Sequence, residues 1–331
     1  MAAGGRRWLR LLWLAVGLLA LLAVWVLLGM RWRAVTNPLF IAMVGVMPFL
    51  AVGPLLVGLL GAWWSRNVSL RVAAAVTLVA FVYTTSPVDA VLGCRADGAV
   101  DSGADNILTV YTANVWFEPP GGQPDQIGAA IAAEDPDIVF LQEVQWDFLT
   151  ELQADPRLDR YVHRTTDIPG MPIQDLVWSK WPIEVASVDD LANARFVQAT
   201  INTPSGQLVA TPIHLQAPLG QTSINNWLAQ HRLLAEVDRS VPRIMAGDFN
   251  ATRDHQPFRS LLRTGWTDAH EIKGCGLDTT WPSDGRLPVP VMRLDHVLVT
   301  DHFEVLDLRL GDPGGSDHLP VISTLRFNPA E

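Results

Sequence analysis

Two kinds of apolar pattern divide the chain. Between Leu11 and Val88 the apolar positions run on in long unbroken blocks, whereas beyond Asn106 they come in short runs separated by Gly, Pro, Asn and Asp. Long blocks predict membrane-spanning helices, and Leu11 to Met30 offers twenty residues without a charge, enough to cross a hydrocarbon layer of roughly 30 Å. A signal peptide is the competing reading, but the apolar region is longer than such peptides use and RWRAVT offers no small-residue cleavage site. A second span is expected over 39–64, interrupted by Pro48 and Pro54, and a third, weaker one over 70–90, for which a buried soluble helix is the alternative. Trp8, Trp32, Trp63 and Trp64 fall at the ends of these segments, where amphipathic rings favour the headgroup layer.

The short runs predict a separate domain over 106–328, reached through a small-residue linker at 94–105. Strands are expected at Asn106 to Val115, Asp137 to Val144, Gln174 to Ser179, Arg195 to Asn202, Gln207 to His214 and Ile244 to Ala246. Three more close the chain at His296 to Thr300, Phe303 to Leu310 and Pro320 to Phe327. Helical spacing appears over 123–134, 146–154, 223–238 and 256–262. Many strands with a few helices and no regular alternation of the two predict an α+β or layered sandwich architecture.

Charge sharpens this division. Up to Gly93 the chain has seven Arg, no Lys and a single acid, Asp89; after it stand seventeen basic and thirty-three acidic residues, a formal charge of −16. An acidic domain lacks the broad basic footprint that long nucleic acids normally need. With the N-terminus inside, Arg6, Arg7, Arg10, Arg66 and Arg71 are cytoplasmic against Arg31, Arg33 and Arg95 outside, so three spans place the domain outside the cytoplasm. Cys94 and Cys275 either form a disulfide in that compartment or are two unrelated thiols; neither belongs to a zinc or CxxC spacing.

The stretch RIMAGDFN carries the first chemistry. A short buried strand runs into Asp248 and Asn250, two residues apart and able to converge on one target, with Gly247 leaving room for close approach. An isolated Asp-x-Asn is more often an Asx-turn that satisfies its own backbone. Polar residues recur, however, wherever a strand is expected to end: Asn114, Glu143, His214, Asp248 with Asn250, Asp295 with His296, and Asp317 with His318. A carboxylate closing an apolar strand, such as Glu143 after DIVFLQ, needs a cation or several donors. Carboxylates, carboxamides and imidazoles without a Ser or Cys nucleophile suit hydrolysis at phosphorus by a water activated at a hard divalent ion.

The set TANVW, DPDIVFLQEV, IHLQA, GDFN, RLDHVLV and GSDHLPV resembles, in order and spacing, the endonuclease/exonuclease/phosphatase family of DNase I-like fold. That resemblance runs from about Asn106 to Phe327 and implies a four-layer α/β/β/α sandwich preceded by about three transmembrane helices. It implies Mg2+, with Mn2+ as a substitute, held by Glu143 with Asn114 and Asp317 beside it. Asp248 is then expected to orient or deprotonate the attacking water, and Asn250 to hold a phosphate oxygen. Asp295 is expected to fix the tautomer of His318, the pair acting as base or transition-state donor, while His214 contacts the phosphate or assists the leaving group. One departure is Lys180 in SKWP, where many members have Arg.

Outside these motifs, His163, His231, His255, His270 and His302 are expected at the surface. Arg232 reads as a salt bridge or a phosphate contact, and Trp281, in GLDTTWPSDGR, as a packing anchor rather than a substrate surface. The reading as a whole is a multi-pass membrane hydrolase, its partners the bilayer and an extracytoplasmic phosphate ester, probed against two alternatives: a DNA or RNA nuclease, and a non-catalytic scaffold or receptor.

Overall fold

In the computed structural model the described residues are 2–85, 105–116, 121–167, 174–191, 194–273 and 277–328. They form two compact units, Met1–Leu92 with Asp254–Gln256, and Gly93–Arg253 with Pro257–Glu331. The expected linker and both cysteines lie largely or wholly outside the described residues.

The first unit is helical: α1 (Ala2–Arg31), α2 (Pro38–Gly45), α3 (Met47–Ser65) and α4 (Val68–Thr85). Two stretches, Arg6–Arg31 and Met47–Ser65, are long and apolar enough to cross a membrane, and Val68–Thr84 is a shorter apolar helix. The expected second span is two helices, broken at Val46. Pro48 has no N–H to extend the hydrogen-bond ladder of α2, and its ring opposes the carbonyl of Val44, so a new helix starts there. The third helix stops at Thr85, and 86–90 lies outside the described residues. Small residues let α1 and α3 approach closely: a Cβ on Gly61 would stand 2.7 Å from the Gly17 Cα.

The second unit is built on two six-stranded sheets. Its strands are β1 (Ile107–Asn114), β2 (Ile138–Gln142), β3 (His163–Arg164), β4 (Leu176–Ser179), β5 (Ile183–Leu191) and β6 (Ala194–Thr203). They continue with β7 (Gly206–His214), β8 (Arg243–Asp248), β9 (Thr267–Asp268), β10 (Asp295–Val299), β11 (Phe303–Leu310) and β12 (Val321–Phe327). The first sheet has the order β11-β12-β1-β2-β4-β3 and the second β5-β6-β7-β8-β10-β9. Side chains alternate across each strand, so Val110, Ile138 and Phe140 meet Ala210, Ile244, Ala246 and Val297 between the sheets.

The opposite face of the first sheet, with Tyr111, Val139 and Trp178, packs on α5 (Pro124–Glu134) and α6 (Trp146–Gln153) through Ile127, Ile131, Leu149 and Leu152. Behind the second sheet lie α7 (Gln221–Glu236), α8 (Gln256–Leu262) and the short α9 (Ala269–Lys273). There Trp227 donates to the Phe249 carbonyl at 3.3 Å, and Phe249 meets the Phe258 ring edge-on. The α/β/β/α layering implied by the resemblance is the architecture observed.

Topology decides which strand ends share an edge. β1 and β2 are parallel, as are β7 and β8, so Asn114, Gln142, His214 and Asp248 finish side by side. β4 and β10 run antiparallel to their neighbours, pairing Leu176 with Leu141 and Asp295 with Asp248, and so contribute their beginnings to that edge.

Candidate active site

At this edge the eight residues singled out in the sequence form one continuous network. Asn114 donates its carboxamide to Glu143 Oε1 at 2.8 Å and to Asp248 Oδ2 at 3.3 Å. His214 Nε2 stands 3.3 Å from Glu143 Oε1. Asp248 Oδ2 accepts from the Asn250 carboxamide at 3.2 Å and lies 3.9 Å from His318 Nε2. His318 Nδ1 is 2.8 Å from Asp295 Oδ2, and its Nε2 is 3.9 Å from Asp317 Oδ1.

Backbone strain accompanies the site. Glu143 (φ 58°), Asn250 (φ 47°) and Trp116 (φ 51°) all adopt the left-handed region without being glycine, a cost of about 1–3 kcal/mol each that the surrounding packing must hold in place. The turn at Asp248 is indeed an Asx-turn, its Oδ1 accepting from Asn250 N at 2.7 Å. Local turn and site are therefore one structure rather than alternatives. Extended backbone is not what aligns the two side chains, since Asn250 has already left the strand.

Electrostatics separate the roles. Burial works against a charged His318, yet Asp295, with Asp248 and Asp317 in support, pushes its pKa up to about 10, so the ring stays an imidazolium at neutral pH. Both ring nitrogens are then donors, one held by Asp295 and one facing the cleft. Burial pushes the Asp248 carboxyl up to about 7, against the pull of His318 and with Asp295 adding to the rise. A carboxylate near neutrality is a suitable proton acceptor, and a fixed imidazolium a suitable donor to anionic oxygen.

Several expectations change. Asn114 turns its nitrogen to the two carboxylates and bridges them, while its oxygen accepts from Trp116 N at 3.0 Å. Asn250 donates to the Leu215 carbonyl at 2.8 Å and to Asp248 at 3.2 Å, which spends both N–H bonds expected for a phosphate oxygen. His296 points to the other face of β10 from Asp295 and joins a different cluster. Lys180 is directed to Asp137 and the Asp135 carbonyl, not to the cleft. His231, His255 and His270 are buried, contrary to the surface expectation, and Arg232 is exposed.

Sequence reasoning missed two contributors. Asp175, at the start of β4, has Oδ1 3.9 Å from His214 Nδ1. Burial raises its pKa to about 6, His214 opposing and Glu143 and Asp248 adding to the rise. The signal lies in QDLVWS, where the acid precedes its strand instead of ending it. Arg286 is the second: it donates to Asp317 Oδ2 at 3.0 Å and lies 5.2 Å from the Trp281 ring and 5.9 Å from Trp116. Trp281 itself is half-buried and donates its N–H to Asp317 Oδ2 at 2.8 Å, so its ring supports the site rather than only packing. Trp281→Phe keeps the ring and deletes this bond to a charged acceptor; catalytic efficiency is expected to fall about tenfold with the melting temperature nearly unchanged, readable in parallel kinetic and thermal assays.

The donor set fits a hard divalent cation. His214 stands between Glu143 and Asp175, and Asp175 Oδ1 is buried without a hydrogen-bond partner, an oxygen that a cation would satisfy.

Fold and site together define a phosphoester hydrolase with the DNase I-like paired-sheet sandwich. The chain belongs to the endonuclease/exonuclease/phosphatase family, whose model matches residues 111–318. It is similar to the endonuclease/exonuclease/phosphatase from Beutenbergia cavernae DSM 12333, at 24% identity and a TM-score of 0.52 over 67% of this chain and 72% of that one. It is also similar to the Bacteroides thetaiotaomicron VPI-5482 mannosyl-6-phosphatase Bt3783, at 17% identity and a TM-score of 0.52 over 66% of this chain and 100% of that one. A humanized D. rerio TDP2 carrying 14 mutations matches at 16% identity and a TM-score of 0.53, over 66% of this chain and 99% of that one. At such identities the likeness is one of fold. Among curated proteins none matches the chain.

Proposed function

We propose that the chain is a membrane-anchored, divalent-metal-dependent phosphodiesterase acting on a phosphate ester outside the cytoplasm. The observation that carries this reading is the network in which Asn114 bridges Glu143 and Asp248 while His318 stands between Asp248 and Asp317, gathered from four separate stretches of sequence. Glu143, with Asp175 and Asp317, would hold the ion, which when bound neutralises phosphate charge and activates water.

The chain's own groups supply the rest. Asp248, fixed by the Asn250 backbone and side chain, takes the proton of the attacking water. His318, held by Asp295, directs Nε2–H at the charge that develops on the phosphate oxygens. His214, between Glu143 and Asp175, faces the leaving group. Asn114 keeps Glu143 and Asp248 at a fixed separation, so the ion and the base stay in register.

Membrane anchoring is supported by what the helical unit exposes. Leu19, Trp63 and Val79 are 67%, 75% and 68% exposed, an apolar surface that suits lipid and not water. The arginine bias favours an extracytoplasmic catalytic domain, and the −16 charge favours a small or lipid-linked ester over long nucleic acid. The fold leaves that choice open, since a named mannosyl-6-phosphatase shares it.

The test is hydrolysis of bis-p-nitrophenyl phosphate, phospholipid head groups and plasmid DNA by the detergent-solubilised chain, with and without EDTA. Activity on a diester that EDTA abolishes and Mg2+ restores is expected. Metal-independent turnover, or no turnover of any phosphate ester, counts against the proposal and toward a scaffold.

A further inference from the structure

We propose that Asp268, His270 and His296 form a second metal site, separate from the carboxylate edge and suited to a borderline transition metal of the Zn2+ class. Its three ligand atoms lie within 4.8 Å of one another, and all three side chains are buried. Because consecutive residues of a strand face opposite ways, His296 projects behind β10 while Asp295 projects into the active-site cleft.

Hydrogen bonding narrows what this cluster can hold. His296 Nε2 lies 3.0 Å from the Ala251 carbonyl, which takes an N–H, and its Nδ1 lies 2.9 Å from Asp268 Oδ2. Both ring nitrogens thus face oxygen acceptors. Carboxylate and imidazole must share either a proton or a metal ion between them.

His270 favours the metal. Its side chain is fully buried, Nδ1 makes only a long 3.4 Å contact with Asp268 Oδ1, and Nε2 has no hydrogen-bond partner. The lone pair of a neutral imidazole so placed would gain a partner by coordination, and a proton shared by the other two would not supply one.

The surroundings match a metal shell. The Ala251 carbonyl fixes the His296 tautomer with Nδ1 turned to the cluster, and the His270 backbone N–H orients Asp268 Oδ1 at 3.1 Å. Phe258, its ring centroid 4.2 Å from that of His296, and Phe249 wall the cluster off. Two imidazoles and one carboxylate select Zn2+ over Mg2+. Such an ion would staple β9, α9 and β10 together directly behind Asp295.

The test measures zinc by mass spectrometry in the tag-free, detergent-solubilised full chain, after zinc loading and removal of loose metal. It is run on wild type, His270→Ala, His270→Gln and Glu143→Gln, with the visible spectrum of the cobalt-loaded protein as a second readout. About one tightly held zinc per chain is expected in wild type and in Glu143→Gln, falling roughly tenfold or more in both His270 variants, with tetrahedral cobalt bands that follow the same order. If the His270 variants fail to fold, zinc and cobalt bands retained in Glu143→Gln support the site by themselves. Folded wild type without tightly held zinc overturns the proposal in favour of a shared proton. Zinc lost in Glu143→Gln but kept in His270→Ala overturns it by placing the ion at the carboxylate edge. Neither result bears on the diesterase assay, which uses Mg2+ at Glu143.

Discussion

Asp248→Asn is expected to lower turnover of a phosphodiester by roughly a thousandfold while the protein folds as well as before. The carboxamide has the same shape, so it keeps the packing and can still accept from Asn250 N, but it cannot take a proton from water. The direction for stability follows from linkage. A carboxyl whose folded pKa is raised above its ordinary value costs stability as pH climbs past that ordinary value, and the full cost is reached above the raised pKa of about 7. Removing the ionisable group in metal-free protein relieves that cost at pH 8 and offsets the loss of the bonds that Oδ2 accepts from Asn114 and Asn250, so the melting temperature should stay near wild type. A lost melting transition together with lost activity would show that Asp248 is structural instead.

The second large effect is expected at Gly247, one residue earlier. A Cβ there would stand 2.0 Å from the Ile213 carbonyl oxygen on β7, and the residue's φ of 146° is one that side-chain-bearing residues rarely adopt. Backbone on a neighbouring strand cannot swing aside as a long side chain can. Gly247→Ala is expected to cost more than about 3 kcal/mol, read as a large drop in urea midpoint, with the active-site edge pulled apart because β7 and β8 carry His214 and Asp248. A midpoint near wild type would mean that the two strands separate more easily than their parallel register suggests.

How much of this was legible in the sequence differs by element. The strands β1, β2, β7, β8, β11 and β12 stood out because each is an apolar run bounded by turn residues, and their boundaries shifted by only a residue or two. β3 and β9, two residues each, leave no periodicity to detect. The break at Val46 was hidden because an apolar block reads the same whether one helix or two, although Pro48 carried the signal. All eight motif residues met at one edge, since strand direction gathers them there. Asp175 escaped because it opens an antiparallel strand, and only topology reveals that such beginnings lie beside parallel ends. Roles were harder to read than positions: whether Asn114 offers oxygen or nitrogen depends on Trp116 N, whose left-handed backbone no pattern announces.

The buried histidines mark the limit of inference from motifs. His231, His255 and His270 match no family motif, and the polarity of imidazole alone predicts the surface for them, yet each is buried. A single imidazole in an apolar stretch carries no label for its partner.

If these dispersed acids, amides and imidazoles enclose one cation, calorimetric titration of Mg2+ or Mn2+ into the metal-free, solubilised chain will register it. Wild type should bind at the carboxylate edge and Glu143→Ala should lose that binding at least tenfold while remaining folded. Equal affinity in the two proteins would contradict it.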